Sequence, residues 1–260
     1  MSRYPAGFFS LVVPLLVLLA GCASAPPFNP GARLDPIREG ELCRSVSAAR
    51  GSVASFRSLI NAEVVGPDKE KISFRYAVIG KGNDRLRVDV LPNEGAFTLA
   101  LVTVNEGRAL VIDTQSKKAI EGCSPSQVLE RTLGLEGITP EVVKALVVGE
   151  IPALICERVT THQIDSGRAL FVDKSARVAW EVSEGTGELL AARLLDSSGE
   201  KVVATADRRI VGDLPEIVFQ IYKPARASAE LRVVRLTKNR EIADDLFDVP
   251  VPAGYGREGC

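Results

Sequence analysis

Five cysteines and a single histidine, His162, carry the most distinctive chemistry in this sequence. Cys22 stands apart from the other four. It closes the apolar run Leu16-Val17-Leu18-Leu19-Ala20-Gly21 and is followed at once by Ala23-Ser24-Ala25-Pro26-Pro27. An apolar run that gives way to a small, proline-rich stretch reads as a membrane or export address, with the cysteine either part of that address or coincidental to an ordinary secretory signal. The remaining four, Cys43, Cys123, Cys156 and Cys260, form an even set, which in an exported chain predicts two disulfides. Four cysteines allow three pairings, and the sequence does not choose among them. Cys123–Cys156 would bracket one helical insert and leave Cys43–Cys260 to tie the two ends, and this is the preferred expectation. No CxxC occurs, and His162 completes no Cys/His zinc site at a familiar spacing.

Other reactive constellations are missing from the sequence. Nucleophilic catalysis needs Ser or Cys beside a His that an acid orients. His162 lies in Thr160-Thr161-His162-Gln163, a strand-like stretch, and reads as an edge or surface residue. There is no GxSxG, no P-loop and no strand–GxGxxG–helix unit. Asp244-Asp245 lacks the oxygen-rich spacing of a calcium loop and reads as a solvated turn. No catalytic residue, metal or cofactor is expected, so a binding or structural role is favoured over an enzyme. With 32 basic and 33 acidic residues the formal net charge is −1, and no basic stripe suggests a nucleic-acid partner.

The elements around these residues divide the chain into three parts. Residues 1–21 read as a signal segment: Arg3 supplies a positive start, and residues 8–20 are apolar but too short to span a bilayer comfortably. Residues 22–35, rich in proline and small side chains, read as a tether. Residues 36–260 read as one β domain. Leu42, Val46 and Ala49 have helical spacing, which predicts a first helix over residues 36–50. Alternation then predicts a meander. Ile72, Phe74, Tyr76 and Val78 share one face, and Leu86, Val88 and Val90 share another, opposite Arg and Asp. Ser124-Pro125-Ser126-Gln127 has the form of a capping box with proline at the first helical position. Thr139-Pro140-Glu141 repeats the start signal for a second short helix. Strands resume over residues 153–164 and continue to 236, giving about eleven in a curved sheet, barrel or sandwich.

Two resemblances add to this. Leu19-Ala20-Gly21-Cys22 resembles the bacterial lipoprotein signal, which implies cleavage before Cys22 and acylation of that residue. Ala23 in place of Asp implies sorting to the outer membrane of a Gram-negative cell, with the protein anchored in lipid and facing the periplasm. The stretch Ile120-Glu121-Gly122-Cys123-Ser124 through Val148-Gly149-Glu150-Ile151-Pro152 resembles the helical insert of LolB-like outer-membrane lipoprotein receptors. Residues 86–114 resemble that family's hairpin meander, and residues 246–255 its closing strand.

The second resemblance implies a mainly β, half-open antiparallel barrel of about eleven strands, with a short helical lid and an N-terminal helix. It implies an apolar cavity for acyl chains or lipoprotein cargo, received from a periplasmic carrier protein. Phe74, Leu86, Val88, Leu99 and Leu101 would line the sheet side. Leu129, Leu133, Val143 and Leu146 would line the helix side. The same residues would equally pack a solid core. The hairpin loop Pro92-Asn93-Glu94-Gly95-Ala96-Phe97 matches the family's membrane-contact loop. Glu94 stands about where the insertases expose a leucine, and Phe97 either takes its place or faces inward. Cys123 stands near the position of a family aromatic. The competing reading is a structural lipoprotein that uses this fold as an interaction module in an envelope assembly.

Overall fold

The computed structural model of the chain describes residues 25–49, 53–94, 97–133, 138–152, 156, 159–165, 167–223 and 226–260. The expected signal segment, the lipidation candidate Cys22, and Gly95-Ala96 of the contact loop lie outside the described residues. After a two-residue strand, β1 (Ala32–Arg33), the N-terminal helix forms as α1 (Pro36–Ala49). Asp35 caps it, its Oδ1 accepting from the Ile37 and Arg38 amides at 3.1 and 3.0 Å.

Two meanders follow. The first comprises β2 (Ser55–Val65), β3 (Lys71–Lys81), β4 (Arg85–Leu91), β5 (Ala100–Asn105), β6 (Arg108–Asp113) and β7 (Lys118–Cys123). Two helices interrupt, α2 (Pro125–Leu133) and α3 (Pro140–Val148). The second meander comprises β8 (Thr160–Asp165), β9 (Arg168–Asp173), β10 (Val178–Ser183), β11 (Leu189–Leu195), β12 (Val202–Val211), β13 (Leu214–Ile221) and β14 (Ala227–Lys238). A last strand, β15 (Gly256–Gly259), ends the chain. The strand expected from residue 153 begins at Thr160 among the described residues.

β14 pairs antiparallel with β2, from Ser228–Val65 to Lys238–Phe56, and so fuses the two meanders into one sheet. Its order runs β1-β8-β9-β10-β11-β12-β13-β14-β2-β3-β4-β5-β6-β7-β15. The two edges do not meet, so the fold is mainly β and half-open. It has fifteen strands among the described residues, two of them short edge strands, against about eleven expected. Every pairing is antiparallel except β7 with β15.

Residues directly opposite each other in a pair share a face. Val78, Val88, Val102 and Val111 are successive partners and point inward. Asp89, Leu101 and Ile112 are also successive partners and point outward. This corrects the expectation for Leu101, and by alternation for Leu99: both are buried, but on the outer face. The chain after β14 covers that face. Ile242 and Phe247 are buried, and a 3₁₀ turn, Asp244–Phe247, lies against β4 and β5. Arg87 donates from Nη1 to the Leu246 carbonyl at 3.1 Å and also holds Asp89. Asp244 pairs with Lys81 and Arg85, so it belongs to this strap and is not a free acidic turn.

The segment expected as a tether is likewise bound along the sheet from Ala25 onward. The Val202 amide donates to the Pro26 carbonyl at 2.9 Å, and the Phe28 amide to the Glu200 carbonyl at 2.7 Å. Phe28 packs on the outer-face cluster of Leu170, Val172 and Ala179.

The disulfides are Cys43–Cys156 and Cys123–Cys260, with Cα separations of 5.9 and 5.2 Å. The preferred pairing, Cys123–Cys156 with Cys43–Cys260, is therefore wrong, and sheet order is the reason. β7 and β8 lie near opposite edges of the sheet, which separates Cys123 from Cys156. β15 runs beside β7 and brings Cys260 to Cys123. α1 lies beside β8 and β10, where Arg38 reaches Gln163 and Glu184, and this brings Cys43 to Cys156.

Candidate functional site

The helical pair is started and stopped by local chemistry. At α2 the capping box is reciprocal: the Gln127 amide donates to Ser124 Oγ at 3.3 Å, and the Ser124 amide to Gln127 Oε1 at 2.9 Å. At α3 the Val142 amide donates to Thr139 Oγ1 at 3.2 Å, and Pro140 fills the first turn. Gly149 ends α3 with φ +86° and returns its amide to the Ala145 carbonyl at 2.7 Å. A β-carbon there would lie 2.6 Å from the Arg208 guanidinium.

Between this pair and the inner face of the sheet lies a cavity of about 140 Å³. Ile60, Tyr76, Val78, Val88 and Val102 line it from one meander, and Ile217 and Phe219 from the other. Leu129, Ile138, Val143, Leu146 and Val147 line it from the helices. Dry apolar cavities of about this size hold one benzene, so the space suits about six carbon atoms. Tyr76 brings the one polar side chain among the described lining residues, and burial pushes its hydroxyl up to about 12.

Of the residues expected to line a cavity, the structure brings Val88, Leu129, Val143 and Leu146 together around it. Leu86 points inward but is packed in the solid part of the core, 2% exposed. Phe74 shares the face of Tyr76, with ring centroids 6.5 Å apart, yet does not line the cavity. Leu99 and Leu101 are on the outer face, as described above. The side chain of Leu133 lies outside the described residues. Ile60, Ile138, Ile217 and Phe219 were missed, although the alternation Ile217, Phe219, Ile221 in β13 was a readable signal.

The lid is held from the sheet by cations. Arg208 Nε donates to the Leu146 carbonyl at 3.0 Å, and Lys238 Nζ to the Val148 carbonyl at 3.2 Å. Lys144 Nζ on the lid donates in turn to the Gly82 carbonyl at 3.0 Å. Carbonyls at a helix C-terminus carry partial negative charge, so Arg208 and Lys238 lie where cations are favoured. Burial lowers Arg208 below an arginine's ordinary value, which marks how far its guanidinium is withdrawn from water.

The other candidates have structural settings. His162 lies opposite Arg33 of β1, with Nδ1 3.2 Å from the Gly31 carbonyl and Nε2 3.1 Å from Thr160 Oγ1. Phe97 is 60% exposed, so it does not turn inward. Pro92 accepts from Arg75 Nε at 3.2 Å through its carbonyl, and Glu94 is exposed in the same loop. No cluster of three or more His, Cys, Asp or Glu residues able to hold a metal occurs among the described residues.

No family model matches the sequence, and no curated protein matches it. Solved structures do. A LolA superfamily protein from Nitrosomonas europaea aligns with a TM-score of 0.54 at 16% identity, over 80% of this chain and 96% of that one. A putative outer membrane lipoprotein-sorting protein domain from Vibrio parahaemolyticus aligns with a TM-score of 0.55 at 10% identity, over 80% and 95%. A DUF1329 family protein from Desulfovibrio piger aligns with a TM-score of 0.56 at 11% identity, over 82% and 98%. At such identities the likeness shows the fold, and the chain has the LolA/LolB-like fold.

Proposed function

We propose that this chain is a lipid-anchored outer-membrane lipoprotein that binds acyl chains, or the acyl chains of lipoproteins, beneath the α2–α3 lid. The observation that carries this reading is the apolar cavity between lid and sheet. Burial of each methylene there is worth about 0.8 kcal/mol, so a chain needs few polar contacts to bind. The cavity has room for about six carbons, so a longer chain must either extend past its rim or be admitted by movement of the lid. The cationic contacts at the end of α3 are the latch that such a movement releases. No covalent step is involved, and a periplasmic carrier protein would deliver the cargo. A solved neighbour described as a lipoprotein-sorting domain supports a place in the Gram-negative envelope.

Cys22 is the proposed anchor. It precedes Ala25 by three residues, a reach of about 10 Å. Ala25 and Pro26 lie beside the start of β12, at the sheet end that also holds the loop between β4 and β5. Anchor and exposed Phe97 would then meet the membrane from one end of the molecule.

The small volume favours a second reading, a structural lipoprotein whose fold serves as an interaction module. Native mass spectrometry of the chain carrying Cys22→Ala, before and after organic extraction, separates the two. A stoichiometric lipid that leaves on extraction, and that is lost in Leu146→Asp with the strands intact, supports the carrier. A clean apo mass that takes up no added lipid or lipopeptide supports the module.

A further inference from the structure

Tyr76 gives the cavity a polarity. The side chains around it are apolar throughout, while its own hydroxyl makes no hydrogen bond among the described residues. The walls are graded. Val78, Val88 and Val102 are fully buried, whereas Val64, Tyr76, Ile221 and Ala229 are half-buried. Val64, Ile221 and Ala229 lie toward the end of β2, the end of β13 and the start of β14, while Tyr76 is midway along β3, paired with Ile60 and Val90. Register places these termini together, since Val64 pairs with Ala229 and Ile221 with Ala227. The cavity therefore has a closed apolar depth under the helices and a rim at one sheet end. That end also carries the exposed Phe97.

We propose that a single acyl chain enters tail first and that the hydroxyl of half-buried Tyr76, between the rim and the depth, donates a hydrogen bond to the carbonyl oxygen at the head of that chain. This deepens the acyl-binding reading and rests on it. A tail in the depth meets only methyl and methylene groups. A carbonyl level with Tyr76 meets the one polar side-chain donor among the described lining residues, and a donor there favours ligands that satisfy it over ligands that do not. The reverse orientation would place the ester in the depth with nothing to hydrogen-bond it. The proposed ligand class is thus a monoacyl ester, amide or acid, read at its carbonyl.

The test compares two probes of similar size, methyl hexanoate and 1-octene, on the chain carrying Cys22→Ala. Binding is followed through the methyl resonances of Val88, Val102 and Leu146, which report from the cavity itself. Tyr76→Phe keeps the ring and removes the donor. The expected result is a loss of about threefold to tenfold in affinity for methyl hexanoate, the range of one net hydrogen bond, with 1-octene unchanged. Unchanged ester affinity overturns the proposal, and so does an equal loss for both probes, which would make Tyr76 a packing residue. In both cases the cavity still binds chains. If neither probe moves these resonances in the parent chain, the acyl-binding reading itself fails and takes this proposal with it.

Discussion

Arg208 occupies the space that a β-carbon on Gly149 would need: the two would lie 2.6 Å apart, and Gly149 holds φ +86°. The glycine that ends the lid helix and the arginine that latches it are thus fitted to each other. Gly149→Ala should cost about 1–3 kcal/mol in urea unfolding, because strain at positive φ adds to the displacement of Arg208. Arg208→Ala removes a charged hydrogen bond to the Leu146 carbonyl and should cost about 1.5–3 kcal/mol locally. Hydrogen exchange should therefore quicken at the α3 amides well before it quickens in β9 to β11. Equal acceleration everywhere would mean that Arg208 supports the whole fold and is not a latch.

The two disulfides stake both ends of the lid insert. Cys123 immediately precedes the α2 cap residue Ser124, and Cys156 follows α3. Their sequence separations are 137 and 113 residues, so in the chain-entropy account each removes a large loop from the unfolded state. Replacing Cys43 and Cys156 together by Ala should cost about 2–5 kcal/mol. Peptide mapping without reduction should recover Cys43–Cys156 and Cys123–Cys260. Recovery of Cys123–Cys156 would contradict the order of the sheet.

What the sequence made legible was local. The caps Ser124 and Thr139 bond backbone amides within three residues, so their spacing alone announced both helices. Strand faces were legible where one side is charged, as at Arg87 and Asp89 beside Val88 and Val90, although Asp89 is itself buried under the chain that follows β14. They were illegible in β5, where Leu101 and Val102 are both buried. The outer face there is covered by Ile242 and Phe247, more than a hundred residues away along the chain, and a strand covered on both faces loses its alternation. The disulfide pairing failed for the same reason, since it follows from which strands lie at the edges. Tyr76 was readable as inward, but whether its surroundings were cavity or packed core depended on how α2 and α3 settle over the sheet.

Glu216 is a buried carboxylate on the outer face, 3% exposed, held by Arg209 and by Arg232 at 3.0 Å. Hydrogen bonds from Arg209, then Arg232, hold its carboxyl below the ordinary glutamate value of 4.5. A depressed folded-state value means that the unfolded chain binds the proton more readily. The stabilisation is therefore complete above about pH 4.5 and is lost as pH falls through the lower folded-state value. Thermal unfolding of the parent chain should show a falling melting temperature below about pH 4.5. Glu216→Gln should melt lower at pH 7 and show a shallower fall on the acid side. Parallel acid limbs in the two proteins would place the acid sensitivity elsewhere, with Asp244 and its partners Lys81 and Arg85 the next group to test.

Phe97 is a large exposed side chain in a loop whose neighbour Glu94 resists entry into a bilayer. Its 60% exposure means that a polar replacement removes little packing, so Phe97→Ser should leave the melting temperature almost unchanged. If the loop meets the membrane, the ring's transfer out of water is worth about 1.5–3 kcal/mol, a factor of about ten or more in partitioning. Co-sedimentation of the chain carrying Cys22→Ala with phospholipid vesicles should fall by that factor in Phe97→Ser. Glu94→Leu should raise it, because the same loop would then present two apolar side chains and one charge fewer. These opposite shifts, at unchanged stability, are what membrane contact by this loop requires. If neither variant alters co-sedimentation, the sheet end bearing Phe97 does not touch lipid.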